Sequence, residues 1–400
     1  MNRDPKTMNK WILAIVVLSV GLNDVSSGAA ATAIASMMKE FPNVSITSIQ
    51  LLVTLPNLIV AIVAPLYGYL CTKFQPRKLI IFGIFMFVFF GTLPAFLNDF
   101  TAILICRALL GVGSGITITA DVGLINAFYQ GEQKDRYIGF NQAVGCFGGI
   151  ATQTLGGYLT LIDWHYAFLA YLFPIWVLIL AILYMPDVPK DIETETGDIT
   201  KKKMFLFKIT PKVYGLVSIY LLVVIFRCML PTNLSIVIET TGIGTSANSG
   251  IALSLFTAGA FVGGMMFGLL KKYVGIYIIA TAWLFTGIGF TFFCYSNTIL
   301  TIYMSTFLSG LGMGTMIPGY FARVTEIANP AWVGVAIALI SSMQGFGNFI
   351  QPIVARWLIL IFNQEVGYFP VAAAAVFLIA GSIIQAIYTK SKCTVKVEIS

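Results

Sequence analysis

Charge is scarce in this 400-residue chain: Asp, Glu, Lys and Arg together make up 10% of it, against 58% hydrophobic residues. That balance excludes a soluble globular domain, which could not hide so much apolar surface from water. Histidine is nearly absent. His165 alone cannot build a metal site, and the six cysteines fall within apolar runs or at their basic edges, so neither zinc nor disulfides are expected. A phosphate-loop sequence is missing too, which removes nucleotide hydrolysis as an energy source. No carboxylate pair, nucleophile triad or metal cluster converges anywhere, so neither an enzyme nor a resident cofactor is expected.

What the chain does have is long apolar runs, with a mean hydropathy of +0.88. A helix needs about 20 apolar residues to cross a hydrocarbon core. Division on that basis gives twelve spans, at 10–36, 47–71, 78–97, 101–128, 137–161, 165–186, 213–239, 248–270, 274–296, 299–325, 331–361 and 366–389. Barrel strands would be shorter and would alternate apolar with polar residues. The run from Trp11 is too long for a secretory signal and lacks a cleavage-like end, so it reads as a retained first span.

Lys and Arg fall on one side of this topology. With the amino terminus inside, the cytoplasmic side receives Lys10, Lys73, Arg77, Lys134, Arg136, Lys201, Lys271, Arg323, Lys390 and their neighbours, and the outer side only Lys39. Both termini are then cytoplasmic. The net charge of +7 follows from the same asymmetry, so a nucleic-acid partner is not expected.

The one long charged stretch, residues 187–212, separates two groups of six spans. It divides the chain into an amino-terminal bundle (1–186), a cytoplasmic linker (187–212) and a carboxy-terminal bundle with a short tail (213–400). Superposed at an offset of about 199 residues, Gly111, Gly113 and Gly115 meet Gly310, Gly312 and Gly314, Lys73 meets Lys272, and Gly148 meets Gly347. The expected fold class is therefore an all-α polytopic membrane protein, twelve helices in two pseudo-symmetric six-helix bundles. Parallel repeats of this kind hold a substrate at mid-membrane between the halves.

These residues resemble the major facilitator superfamily, and within it the twelve-helix bacterial drug/proton antiporters, a resemblance that implies a bacterial inner (plasma) membrane. Gly68, Leu70, Lys73 and Arg77 fit the family's cytoplasmic signature, whereas Thr72 replaces its acidic residue and Gln75 its second glycine. The resemblance implies that the latch of the outward-open state is weakened or built differently here. Arg107 followed by Gly111, Gly113 and Gly115 is similar to the drug-exporter signature of span 4. Asn23-Asp24 before an Ala-rich segment resembles the family's span 1 pattern, and Trp164 to Leu169 its aromatic motif. The antiporter signature of span 5 is only partly present, since Thr152-Gln153 replaces a Gly-Pro pair.

A charge at bilayer depth is costly unless it is paired or hydrated, so ionisable residues inside spans are the first functional candidates. Asp24 and Asp121 are the proton-coupling candidates. Each has a second reading, Asp24 as a packing hydrogen bond in a seam with Gly21, Gly28, Ala31 and Ala35, and Asp121 as a partly hydrated, snorkelling acid. Arg107 and Arg227 are the candidates for substrate or coupling charge. Arg107 and Asp121 lie about 21 Å apart along one helix and cannot pair, whereas Asp24 and Arg227 could pair across the halves. Arg356 and Glu365 are expected to form a boundary ion pair.

Ser341, Gln344, Asn348 and Gln351 make a polar stripe on span 11, with Gln142, Gly149 and Gln153 a sparser counterpart on span 5. Such a face must meet water, substrate or another helix. Tyr320, Tyr220, Tyr171, Phe321 and Trp283 could supply aromatic walls. The glycine runs lack phosphate-loop context and read as close-packing and hinge points.

The leading expectation is a proton-coupled exporter of amphipathic small molecules working by alternating access, a monomer whose partners are its substrate, protons and membrane lipids. The alternatives are a symporter or uniporter of a small organic anion held by Arg107 and Arg227, and a non-transporting membrane sensor.

Overall fold

The computed structural model describes residues 9–187, 211–328, 333–364 and 367–398, without the side chains of residues 24–27, 72, 122, 135, 334 and 391–398. The linker expected at 187–212 lies almost wholly outside the described residues. Among those described, the secondary structure is helical throughout.

Among the described residues the helices group into twelve segments, consistent with the expected spans, and nine stretches of them are long and apolar enough to cross a membrane. The segments run over Lys10–Glu40 (span 1), Ile46–Lys73 (2), Pro76–Phe96 (3), Phe100–Phe128 (4), Gly131–Thr160 (5), Trp164–Tyr184 (6), Pro211–Thr240 (7), Ser246–Val274 (8), Ile278–Cys294 (9), Ile299–Ile327 (10), Val333–Phe362 (11) and Tyr368–Glu398 (12). Short polar caps set several starts: Ser45 accepts from the Ser48 N–H at 3.1 Å and Asp99 from the Ala102 N–H at 2.7 Å. Pro76 opens span 3, where its missing N–H costs nothing.

Several spans depart from the continuous α-helices expected, span 3 by ending in a 3-10 turn over Leu93–Phe96. Span 1 changes to a 3-10 helix over Ser26–Ala33 before resuming as α-helix at Ile34. Its Ser-Ser-Gly start has weak helix propensity, and the segment lies flush on span 5. Span 6 begins as a 3-10 helix over Trp164–Leu172, and span 7 is interrupted at Cys228, one residue after Arg227. Span 12 continues to Glu398, beyond the expected end at 389.

The two glycine runs show the repeat at the level of packing. A Cβ on Gly111 or Gly115 would strike span 2, at Ile59 and Val63, and one on Gly113 would strike span 3, at the Gly83 carbonyl. In the second half a Cβ on Gly310 or Gly314 would strike span 8, at Phe256 and Ala260, and one on Gly312 would strike span 9, at Thr286. Spans 2, 3 and 4 thus pack as spans 8, 9 and 10 do, and in both sets glycine lets the backbones approach.

Large apolar side chains point outward along the spans, among them Phe85 and Phe89 on span 3, Ile179 on span 6 and Leu360 and Ile361 on span 11. An exposed apolar belt of this extent fits lipid contact and no aqueous surface.

Candidate functional site

The halves meet on the face opposite the basic loops. Gln50 on span 2 donates from Nε2 to Asn233 Oδ1 at 3.1 Å and to the Thr232 carbonyl at 3.3 Å, both on span 7. Ser235 donates to the Thr32 carbonyl of span 1 at 3.1 Å. Spans 5 and 8 are joined by Thr154 and Ser254 hydroxyls at 2.8 Å and by Thr257 donating to Gln153 Oε1 at 3.0 Å. Gly157 and Gly250 cross at the same seam: a Cβ on Gly157 would lie 2.9 Å from the Gly250 Cα, and one on Gly250 would lie 2.5 Å from the Gln153 carbonyl. At mid-depth Gly345 of span 11 presses on Asn57 and Ala61 of span 2.

Towards the basic loops the packing loosens. Side chains at Gly68, Gly139 and Gly268, the basic-side ends of spans 2, 5 and 8, would meet nothing within 4 Å. Gln142 is exposed there, as are Met265, Met266 and Leu269 of span 8. Leu70 is half-buried. Lys73 stands over the Tyr69 ring, and Arg77 reaches the last turn of span 6, donating to the Ile182 carbonyl at 3.0 Å with Asp187 at 3.9 Å.

Arg107 is fully buried inside the first half. Its Nη2 donates to the Gly91 carbonyl at 3.0 Å, and the guanidinium carbon lies 4.9 Å from the Phe168 ring centre and 4.6 Å from that of Tyr171. Aromatic faces and a carbonyl are the surroundings that tolerate a desolvated guanidinium. The Tyr171 hydroxyl in turn accepts the Ala30 N–H at 3.2 Å, within the 3-10 segment of span 1. Nε and Nη1 of Arg107 have no hydrogen-bond partner among the described residues.

Asp121 is likewise fully buried, fourteen residues further along the same helix, and accepts a hydrogen bond from Asn141 Nδ2 of span 5. Gly21 of span 1 sits directly against the Asn141 amide, and Gly28 against Gln153. Asp24 lies between these two glycines in chain order, on the short helix Leu22–Val25. Its side chain is outside the described set.

The second half brings together the span 11 stripe and span 7. Tyr220 donates to Gln344 Oε1 at 2.7 Å, the Cys228 thiol lies 3.0 Å from Asn348 Oδ1, and Thr232 donates to Gln351 Oε1 at 3.0 Å. Tyr320 is buried against Tyr220, ring centres 4.7 Å apart. Arg227 is buried beside this ladder, and its Nε and Nη1 have no hydrogen-bond partner among the described residues. The stripe is therefore spent chiefly within its own half, while Gln50 and Asn233 form part of the contact between halves.

Arg356 makes no ion pair or hydrogen bond among the described residues, and its expected partner Glu365 lies outside them. His165 stacks on Trp164 at 3.6 Å and bridges Asp163 Oδ1, 2.5 Å from Nδ1, and Asn98 Oδ1, 2.9 Å from Nε2. The backbone N–H of His165, with the ring behind it, holds the Asp163 carboxyl below its ordinary value of 3.8.

Sequence reasoning missed Asn141, Gly91, Gln50 and Asn233, and had Phe168 only within the aromatic motif, not as a partner of Arg107. Asn141 was within reach, since it precedes Gln142, but only the helix rotation in the fold decides which of the two faces Asp121.

Two six-span groups related by a repeat, joined by hydrogen bonds and glycine contacts on one side, more loosely packed on the other and holding buried charges within the spans, define a polytopic membrane transporter. The sequence pattern described as "Major Facilitator Superfamily" matches residues 16–275. The chain belongs to that family: it is a multi-pass membrane transporter of small molecules and not an enzyme. It is similar to "Quinolone resistance protein NorA" of Staphylococcus aureus (strain COL), 22% identical over 342 residues that cover 84% of this chain and 86% of the relative. Among solved structures it is similar to the nucleoside transporter NupG (TM-score 0.74, 12% identity, 95% of this chain and 99% of the other). It also resembles a D-xylose-proton symporter (TM-score 0.69, 16% identity, 94% and 97%). At these identities the structural likeness speaks for the fold.

Proposed function

We propose that the protein is a proton-coupled exporter of amphipathic small molecules, resident in a bacterial plasma membrane as a monomer with both termini cytoplasmic, and that the conformation described is open to the cytoplasm. The halves would be residues 1–186 and 213–400, rocking about a central site. The observation that carries the reading is the asymmetry of the seam. It is locked by Gln50–Asn233, Ser235–Thr32 and Gly157–Gly250 on one face and loosely packed, at Gly68, Gly139 and Gly268, on the face bearing most of the Lys and Arg, which is the cytoplasmic face by charge bias. Asp121, buried at an amide hydrogen bond where spans 1, 4 and 5 meet, and Asp24, between the glycines that seat span 1 on span 5, are the groups that would exchange the proton. The resistance relative favours export, and the polar ladder of Tyr220, Tyr320, Gln344, Asn348 and Gln351 would face the substrate from the second half when it rearranges.

The test is substrate-dependent proton flux in liposomes carrying an internal pH dye. Lipophilic cations and small carboxylates are offered under an imposed gradient, with Asp24→Asn and Asp121→Asn alongside. Flux with the cations that vanishes in one of the variants supports the reading. Silence with every compound, in protein shown to be folded, defeats it.

A second reading has its own observation: Arg227 is buried with two N–H groups left open among the described residues, as a site for a carboxylate or phosphate would require. Arg227→Lys keeps the charge and loses the fork. A large loss of affinity for carboxylates alone would move the assignment to an anion transporter.

A further inference from the structure

The two lateral seams on the closed face are related by the repeat, yet they are built differently. At the offset of about 199 that aligns the halves, Arg356 of span 11 takes the place that Gly157 holds on span 5. Gly157 lets span 5 press backbone to backbone on Gly250 of span 8. An arginine cannot do the same, and the seam between spans 2, 7 and 11 keeps a recess lined by Ile46, Thr47, Gln50, Asn233, Pro352 and Arg356.

Three features say what this recess accepts. Arg356 is its one charged lining residue, is exposed, and has no ion pair or hydrogen bond among the described residues. It stands six residues before the end of span 11 at Phe362, about 9 Å along the helix axis, so a snorkelling guanidinium reaches headgroup depth. Around it the helix shows Trp357, Leu360, Ile361 and Phe362 to the outside, each more than half exposed, which is a surface for acyl chains. The enclosed volume is only about 10 Å³, room for one water at most, so the occupant lies across the mouth rather than inside.

We propose that this recess is a binding site for an anionic phospholipid, its phosphate on Arg356, its glycerol region over Thr47 and its chains along the Trp357–Ile361 face. Because Thr47 and Gln50 belong to the first half and Asn233 and Arg356 to the second, the site is whole only while this face is shut. The lipid therefore binds that conformation in preference to the one opened here and favours it by its differential affinity.

Native mass spectrometry of the purified full chain, titrated with short-chain phosphatidylglycerol or phosphatidylcholine, measures the site directly. Wild type is expected to retain one phosphatidylglycerol about fivefold more tightly than Arg356→Gln, the effect of one cation at a phosphate, with no such difference for phosphatidylcholine. Thr47→Trp fills the recess from the other half without touching the charge and is expected to lose the same lipid; it also serves if Arg356→Gln does not fold. Equal retention of phosphatidylglycerol by wild type and both variants overturns the proposal. Phosphatidylcholine held as tightly as phosphatidylglycerol overturns it too, and displacement of the lipid by millimolar inorganic phosphate would make this a phosphate site instead.

Discussion

Asn141 of span 5 donates its side-chain amide to the buried carboxylate of Asp121 on span 4, and nothing but Gly21 fits against the other side of that amide. The contact ties three spans together around an acid at bilayer depth. Removing the donor leaves a desolvated carboxylate short of one hydrogen bond, which costs about 1–3 kcal/mol. Asn141→Ala should accordingly lower the melting temperature in detergent, and Asp121→Asn, which keeps two amides in contact, should lower it less. An Asp121→Asn protein that melts below Asn141→Ala would contradict this order.

Gly157 and Gly250 leave no space for a side chain. Alanine at either position puts a Cβ within 2.7 Å of the Ser246 carbonyl or 2.5 Å of the Gln153 carbonyl, closer than real Cβ contacts come, so spans 5 and 8 must part. Both variants are expected to shift the protein away from the face-closed state. Spin labels at Thr154 and Ser254, whose hydroxyls are 2.8 Å apart, would report a longer mean distance across the seam, and an unchanged distribution would count against the seam as the closing contact.

Tyr171 serves Arg107 with its ring and span 1 with its hydroxyl. Tyr171→Phe keeps the ring and removes the acceptor of the Ala30 N–H, so a loss of about 1 kcal/mol is expected. Arg107→Lys gives up the stacking on Phe168 and Tyr171 and should cost more, on the order of 2 kcal/mol. Chemical denaturation in mixed micelles would rank the two. Loss of transport by Tyr171→Phe without loss of stability would assign the Tyr171 hydroxyl to the conformational cycle rather than to packing.

The Asp163–His165 corner predicts a pH effect of definite sign. The folded protein binds the Asp163 carboxylate form through the His165 N–H, so its pKa is lower folded than unfolded. The stability this contributes is present above the ordinary value of 3.8 and is lost as pH falls through the lower folded value. Melting temperature measured from pH 6 to pH 3 should fall more steeply for wild type than for Asp163→Asn. Parallel curves would mean that the hydrogen bond carries no net stability.

The sequence by itself determined the class of architecture. Apolar runs of bilayer length allow only spanning helices, because no water is present to satisfy an exposed backbone. The glycines at 111, 113 and 115 and at 310, 312 and 314 marked where backbones touch, since a residue without a Cβ inside a helix is kept for close approach. Arg107, Asp121 and Arg227 were legible as rare charges in apolar runs, but the full burial of Asp121 was not, since the sequence equally allowed a partly hydrated, snorkelling acid.

Their partners were not legible. Phe168 and Gly91 around Arg107, Asn141 on Asp121, and Gln50 on Asn233 come from spans far apart in the chain, and helix rotation about its own axis decides which of two adjacent polar residues, Asn141 or Gln142, points inward. Polar pairing at such sites is set by interhelical contact, which sequence spacing within one helix does not encode. The same holds for the closed face: the Gly157–Gly250 crossing and the unmatched Arg356 opposite it arise only when two repeated halves are brought together, and tertiary structure alone decided which seam is tight and which is left open to lipid.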